Sequence, residues 1–175
     1  MLLSSTGLSG VNYKMGPATH ELKFNGEILQ RGFWLYIWEI TTQEQKNLYY
    51  VGRTGDSSSN NAQSPFNRMG QHLGFNDKSN VLRRQLEGKG IDPAKCTFRL
   101  VAHGPILEEA TTNELHQKCR DNLAALEKAL AEAMAEAGYK VMNTVNCRKM
   151  LNIGQFNQIR NAFAAEFPKL LEGKK

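Results

Sequence analysis

Two strand-like segments joined by a short polar connection constrain this fold more than any other feature of the sequence. The segment FWLYIWEI at 33–40 is rich in aromatic and β-branched residues, as strands are. A polar connection, TQEQKN, separates it from a second such segment, LYYV at 48–51. Two strands with a short polar loop between them pair as an antiparallel hairpin. The sequence therefore predicts a sheet whose first two strands are neighbours in the chain.

The middle of the chain predicts two short helices and a third strand. A polar loop at 54–63 leads to Ser64, an N-cap residue, and a helix is predicted from Pro65 to about Leu73. A second short helix is predicted from Asn80 to Glu87. The segment TFRLVAH at 97–103 predicts the third core strand.

The C-terminal half is mainly helical in pattern. Residues from about Leu107 to Ala137 are rich in Ala, Leu, Glu and Lys and predict one long helix, with a break near Thr111-Thr112 as the alternative. The segment YKVMN at 139–143 predicts a short closing strand, and residues 153–166 predict a last amphipathic helix. The expected fold class is α/β, a small and mainly antiparallel three-stranded sheet flanked by helices.

The predicted organisation is one domain with two extensions, since 175 residues can bury one sizeable core. Residues 1–32 are an N-terminal arm, in which HELKF at 20–24 could add an edge strand. The domain spans 33–147, and 148–175 form a C-terminal helical extension.

Composition narrows the classes of partner and compartment. The net charge of +5 favours a polyanionic partner. Cys96, Cys119 and Cys147 are too far apart in sequence for a zinc motif, and their odd number does not suggest a disulfide framework. No signal peptide is recognised at the N-terminus, and no stretch approaches the roughly 20 apolar residues of a membrane span. A cytoplasmic protein without a membrane partner is expected.

Two tripeptides on the hairpin are followed by polar residues in a defined order. Trp34-Leu35-Tyr36 and Tyr50-Val51-Gly52 lie on the two strands. Arg68 and His72 stand four positions apart, on one face of the next predicted helix. This order, which continues with a carboxylate and an amide, resembles the GIY-YIG nuclease family, named for tripeptides on neighbouring strands. The resemblance covers about residues 33–146.

The resemblance implies a metal-dependent endonuclease that leaves a 5′-phosphate and a 3′-hydroxyl. Tyr36 would be the general base for water with help from His72, and Tyr50 would position phosphate or water. Arg68 would stabilise the pentavalent phosphorus. The implied metal ligand is Glu127 and the implied supporting amide is Asn143. Mg²⁺, or Mn²⁺ in its place, suits one carboxylate completed by waters and phosphate oxygens.

The chain departs from the family pattern in two places. The first tripeptide keeps only its tyrosine, Tyr36, and the connection between Gly52 and Arg68 is longer than in compact members. Arg53 directly follows the second tripeptide and is the rival for the essential arginine.

A helical-wheel count examines Glu127 without reference to the family. An apolar stripe of the long helix contains Leu123, Leu126, Leu130 and Met134. Glu127 falls within or beside this stripe, where a carboxylate costs desolvation energy unless it is paired or binds a cation. His116 and Arg120 project to the same side, so an unbroken helix would bring them toward one site.

A basic cluster on the second short helix, Arg83, Arg84 and Lys89, could follow a phosphate backbone or form a solvated face. DNA is the expected substrate, with RNA as the alternative. A homodimer would place two sites on one duplex.

Two other functions are compatible with the sequence. One is a nucleic-acid-binding module that has kept the scaffold without catalysis. The other is an unrelated interaction protein, because each residue taken singly has an ordinary structural role: Tyr36 and Tyr50 as core aromatics, Arg68 and His72 as surface residues.

Overall fold

The computed structural model describes residues 19–56 and 61–172 and contains one three-stranded antiparallel sheet. Its strands are β1 (Phe33–Thr41), β2 (Asn47–Arg53) and β3 (Thr97–Leu107), in the order β2-β1-β3. The predicted hairpin and α/β fold class are therefore confirmed. The first 18 residues of the predicted arm lie outside the described residues.

Helices cover the sheet on both sides. Toward one face lie α1 (Pro65–Leu73) and α2 (Val81–Glu87), and toward the other lie α3 (Asn113–Glu136) and α4 (Ile153–Ala164). Alternate residues of β1 point to opposite faces, so that Phe33, Leu35 and Ile37 pack toward α3 and α4 whereas Tyr36, Trp38 and Ile40 pack toward α1 and α2. This double burial is why the central strand reads as a continuous apolar run.

The start of the long helix is the main correction to the predicted elements. Residues up to Leu107 belong to β3, where Leu107 pairs with Phe33, so the helix predicted from Leu107 was wrong at its N-terminus. Pairing with the central strand overrides local helix propensity here. The helix begins at Asn113, where the Thr112 side chain accepts a hydrogen bond from the Leu115 amide.

Two predicted strands are not strands. HELKF at 20–24 is irregular and precedes a short 3₁₀ helix, Gly26–Leu29. The segment 139–143 forms a single parallel bridge to β2, between Val141 and Tyr49. The ladder stops because the Asn143 side chain, rather than the next backbone amide, bonds β2.

The C-terminal residues join the main core. Ile159, Phe163 and Phe167 are buried in the same cluster as Leu35 and Leu126. The last helix ends at Ala164, two residues before its predicted end. Among the helices of residues 19–56 and 61–172, none is both long enough and apolar enough to span a bilayer.

Candidate active site

Gly52 of the second tripeptide packs directly against Tyr36 of the first. In the hairpin register Tyr36 lies opposite Gly52 and Trp38 lies opposite Tyr50. A Cβ atom at Gly52 would come within 2.5 Å of the Tyr36 ring and 2.7 Å of its Oη. The glycine of the second tripeptide therefore leaves the space in which the tyrosine of the first one lies.

Tyr36 Oη forms two hydrogen bonds at the end of this strand pair. It donates to the Arg53 carbonyl at 3.2 Å and lies 2.7 Å from His72 Nε2. The His72 ring also makes edge contacts with both tyrosines, at centroid distances of 5.7 Å from Tyr36 and 5.2 Å from Tyr50. One histidine on α1 thus contacts both phenols.

Arg68 lies one helical turn before His72 on α1. Its Nη1 donates to Gln71 Oε1 at 2.9 Å, and its Nη2 donates to Asp56 Oδ2 at 2.9 Å. Its Nε is buried and has no hydrogen-bond partner among the described residues. The guanidinium is close enough to Tyr36 to oppose the effect of burial on the pKa of that phenol.

Burial sets the charge of the phenols and the imidazole. Desolvation raises the pKa of Tyr50 to about 12 and raises that of Tyr36 well above its usual value. Burial, with help from the Arg68 charge, lowers the pKa of His72 to about 4. At neutral pH both phenols are therefore protonated and the imidazole is neutral.

The opposite face of the sheet carries an ion pair. Arg53 Nε donates to Glu127 Oε2 at 2.8 Å, and its Nη1 donates to the Arg120 carbonyl at 3.4 Å. The two side chains are 17% and 13% exposed, so the pair is largely desolvated. Burial raises the pKa of Glu127, and the charge and hydrogen bond of Arg53 oppose that shift.

Arg53 joins the two faces at one edge of the sheet. Its backbone carbonyl accepts from Tyr36, while its side chain binds Glu127. The two groups also interact through charge: Glu127 raises the pKa of both Tyr36 and Tyr50, and Arg68 acts to lower the pKa of Glu127. Phenols, guanidinia and carboxylate thus form one electrostatically coupled cluster.

The carboxylate of Glu127 suits a divalent cation in its chemistry. Only its Oε2 is hydrogen-bonded within the described residues, which leaves Oε1 as an oxygen ligand. The described His, Cys, Asp and Glu side chains form no group of three that could hold a metal ion. Any ion at Glu127 would thus complete its shell with water and substrate oxygens, as Mg²⁺ does.

The supporting residues have structural roles around this cluster. Asn143 donates from Nδ2 to the Val51 carbonyl at 2.7 Å and accepts from the Val51 amide at 3.0 Å, which fixes β2 next to Gly52. His116 is buried with its ring 5.2 Å from that of Phe33. Arg120 contributes its carbonyl to Arg53.

The three residues of the predicted basic cluster have different surroundings. Arg83 donates to the Leu73 carbonyl at 2.8 Å, and its guanidinium lies 4.2 Å from the centre of the Phe75 ring. These contacts tie α2 to the end of α1. Arg84 and Lys89 are exposed.

Two site residues were not recognised from the sequence. Asp56, the carboxylate partner of Arg68, lies in the polar stretch after β2, where one acidic residue among Ser, Gly and Asn carries no distinctive signal. Gln71 holds the other side of the guanidinium. Its position one turn from Arg68 on α1 could have suggested the contact.

Comparison with family models, curated proteins and solved structures gave no match to this chain.

Proposed function

We propose that this protein is a metal-dependent endonuclease that hydrolyses phosphodiester bonds of DNA at a GIY-YIG-type site. The observation that carries the proposal is the junction at Arg53, where the Tyr36 hydroxyl and the Glu127 carboxylate bind two parts of one residue. Proton-carrying groups and a carboxylate are thereby placed at one sheet edge, beside a second guanidinium, that of Arg68.

The phenol and the imidazole handle the proton of the attacking water. Tyr36 is protonated at rest, so it can accept a proton only as its own proton leaves. When the imidazole carries its hydrogen on Nδ1, the phenol can donate to Nε2 across the 2.7 Å contact instead of to the Arg53 carbonyl, and this provides that path. With a pKa near 4, His72 holds the proton only briefly and returns it to the site. The water oxygen bonds to phosphorus and the bond from phosphorus to the 3′ oxygen breaks. The leaving oxygen takes up the proton and becomes the 3′-hydroxyl, and a 5′-phosphate remains.

The guanidinium of Arg68 neutralises the negative charge on the phosphate oxygens. Its Nε has no hydrogen-bond partner among the described residues but is buried, so a phosphate would reach this donor only after neighbouring groups move. Asp56 holds Nη2 in the absence of substrate, so a phosphate must compete with that carboxylate.

Glu127 is the residue that would hold the divalent cation, most simply Mg²⁺, and the bound ion would supply positive charge to the leaving oxygen. Within the protein, Arg53 orients this carboxylate through its hydrogen bond and opposes the rise in the Glu127 pKa that burial causes. Arg53 is therefore assigned a positioning role, and Arg68 is assigned the phosphate.

Incubation with supercoiled plasmid tests this function. The full chain is expected to nick plasmid with Mg²⁺ and not with EDTA, and end mapping should find 5′-phosphates. Glu127→Ala should abolish nicking. The matched control, Glu132→Ala, removes an exposed carboxylate of the same helix that pairs with Lys128, and it should keep full activity.

Two other outcomes decide against the proposal. Duplex binding without metal-dependent nicking would favour the non-catalytic binding module. Neither binding nor nicking would favour an interaction protein whose aromatic hairpin is only core.

A further inference from the structure

The segment 144–154, here called the flanking segment, leads from Asn143, which bonds β2, to the start of α4. It starts next to Asn143, whose side chain bonds the Val51 backbone, two residues from Arg53. Its first residues alternate between half-buried and exposed positions. Val145 and Cys147 are half-buried, and the exposed residues are Thr144, Asn146 and Arg148.

The flanking segment and the helix that follows it, α4, are each attached to α3 at one point. Lys149 Nζ lies 2.8 Å from Asp121 Oδ2, and Gln155 Oε1 accepts from Asn122 Nδ2 at 3.0 Å. Asp121 directly follows Arg120, whose carbonyl accepts from Arg53. Residues 150–154 are therefore held next to the turn of α3 that contacts the site.

Large apolar side chains of this region face solvent. Met150 is 94% exposed, Ile153 is 67% exposed and Leu151 is 36% exposed. These three side chains lie within four positions of one another, so they offer apolar surface to a partner that docks on this segment.

The charge around these side chains identifies the partner. No acidic residue occurs in the sequence from position 137 to position 165, and the stretch contains Lys140, Arg148, Lys149 and Arg160. Of these, Lys149 is paired with Asp121 of α3. Arg148 is exposed and forms no ion pair within the described residues. Exposed Asn, Thr and Arg beside apolar side chains match a nucleic-acid duplex, which offers phosphates, base edges and apolar sugar surface. A second copy of this chain, with its net charge of +5, is a poorer partner.

We propose that the flanking segment is the docking surface for the DNA duplex on the side of the scissile phosphate next to β2. Arg148 contacts a backbone phosphate and Met150 makes an apolar contact in a groove. This inference rests on the proposed function, because it places the duplex across the cluster of Tyr36, Arg68 and Glu127.

The test is duplex binding by the full chain in EDTA, measured by fluorescence anisotropy with a labelled duplex of roughly two helical turns. Arg148→Ala should reduce the slope of log affinity against log salt by about 0.9, so that its affinity falls about 3.5-fold less than the wild type between roughly 50 and 200 mM salt. Met150→Ser should weaken binding several-fold and leave the slope unchanged. Matched controls are Lys46→Ala on the hairpin loop and Leu171→Ser near the C-terminus, both exposed.

The outcomes separate this inference from the proposed function. Binding that both variants weaken more than their controls supports the docking surface, even if the wild type fails to nick plasmid, in which case only the catalytic proposal is wrong. Nicking and binding by the wild type with no difference between variants and controls would overturn the docking surface alone. An absence of duplex binding by the wild type overturns both. A change in sedimentation rather than in DNA affinity would assign the surface to contacts between copies.

Discussion

The two faces of the sheet meet at one edge and have different electrostatic character, and the proposed function assigns them different parts of the chemistry. Toward α1 and α2, Tyr36, Tyr50 and His72 are buried and uncharged at neutral pH. Toward α3, Arg53 and Glu127 form a charged pair that is only slightly exposed. The comparison shows that neutral and charged groups on opposite faces of a sheet can be linked through one residue, because Arg53 contacts both sides. In the proposed function, the neutral face transfers the proton and the charged face stabilises charge at the same phosphate.

The largest expected effect distinguishes the two arginines that belong to these faces. Arg68→Ala should lower the cleavage rate by about 10²–10³-fold, because it removes a charged donor from the transition state. Arg53→Ala should leave more activity, since it loses only the partner of Glu127. The measurement is the single-turnover nicking rate, and the opposite ranking would show that the essential arginine is Arg53.

Acid unfolding should reveal the buried imidazole. The pKa of His72 is about 4 in the folded protein and 6.5 in its unperturbed state, so the unfolded chain binds the proton first as pH falls. The difference in the His72 pKa costs no stability well above pH 6.5. As the pH falls toward 4, it should lower the free energy of unfolding by up to about 3 kcal/mol. Urea unfolding as a function of pH measures this loss.

Two variants sharpen the contrast between the faces. His72→Gln should reduce the fall in the free energy of unfolding at low pH. His103→Gln, which removes a more exposed histidine, should reduce it less. The pH dependence that comes from Glu127 has the opposite sign. Burial raises the pKa of Glu127, so the folded protein gains stability relative to the unfolded chain when this carboxylate takes up a proton. Glu127→Gln should therefore steepen the fall in the free energy of unfolding at low pH. An unchanged pH profile in His72→Gln would contradict the buried, neutral imidazole.

A methyl group added at Gly52, opposite Tyr36 in the hairpin, should disturb the packing of the Tyr36 ring. Gly52→Ala places a Cβ within 2.5 Å of the Tyr36 ring and should cost about 1–3 kcal/mol in the free energy of unfolding. The control is Gly70→Ala in α1, where a Cβ meets nothing within 4 Å and helix propensity predicts a gain of about 0.5–1 kcal/mol. Equal stability of the two variants would argue against the close contact.

The smallest expected effect concerns Asp56. Asp56→Asn weakens the ion pair with Arg68 and removes a negative charge from the proposed phosphate position. Exposed ion pairs contribute up to about 1 kcal/mol, so KM for DNA should fall only a few-fold. Asp92→Asn, which removes an exposed carboxylate paired with Lys95, should leave KM unchanged. A higher KM in Asp56→Asn would show that this carboxylate assists binding.

Features fixed by local signals could be predicted from the sequence. The hairpin follows from its aromatic and β-branched residues, and α1 begins at Pro65 because Ser64 caps it. The helical-wheel count of the long helix placed Glu127 within or beside an apolar stripe. In the structure this side chain is largely buried. Each of these depends on residues within a few positions of one another.

Features fixed by distant contacts could not be predicted in this way. β3 extends to Leu107 because of its pairing with Phe33, far away in sequence. The role of Arg53 as the link between two faces requires knowledge of which neighbour lies on each side of β2. The pair of Arg68 and Asp56 depends on the path of a loop that has no sequence signature.

A double-mutant cycle tests most directly whether the two faces serve one phosphate. Single-turnover nicking rates would be measured for Tyr36→Phe, Glu127→Gln and the double variant. Groups that act on the same transition state lose their contributions together, so the double variant should be little slower than the slower single variant. Rate losses that multiply across the two substitutions would show that Tyr36 and Glu127 act independently, and would contradict a shared site.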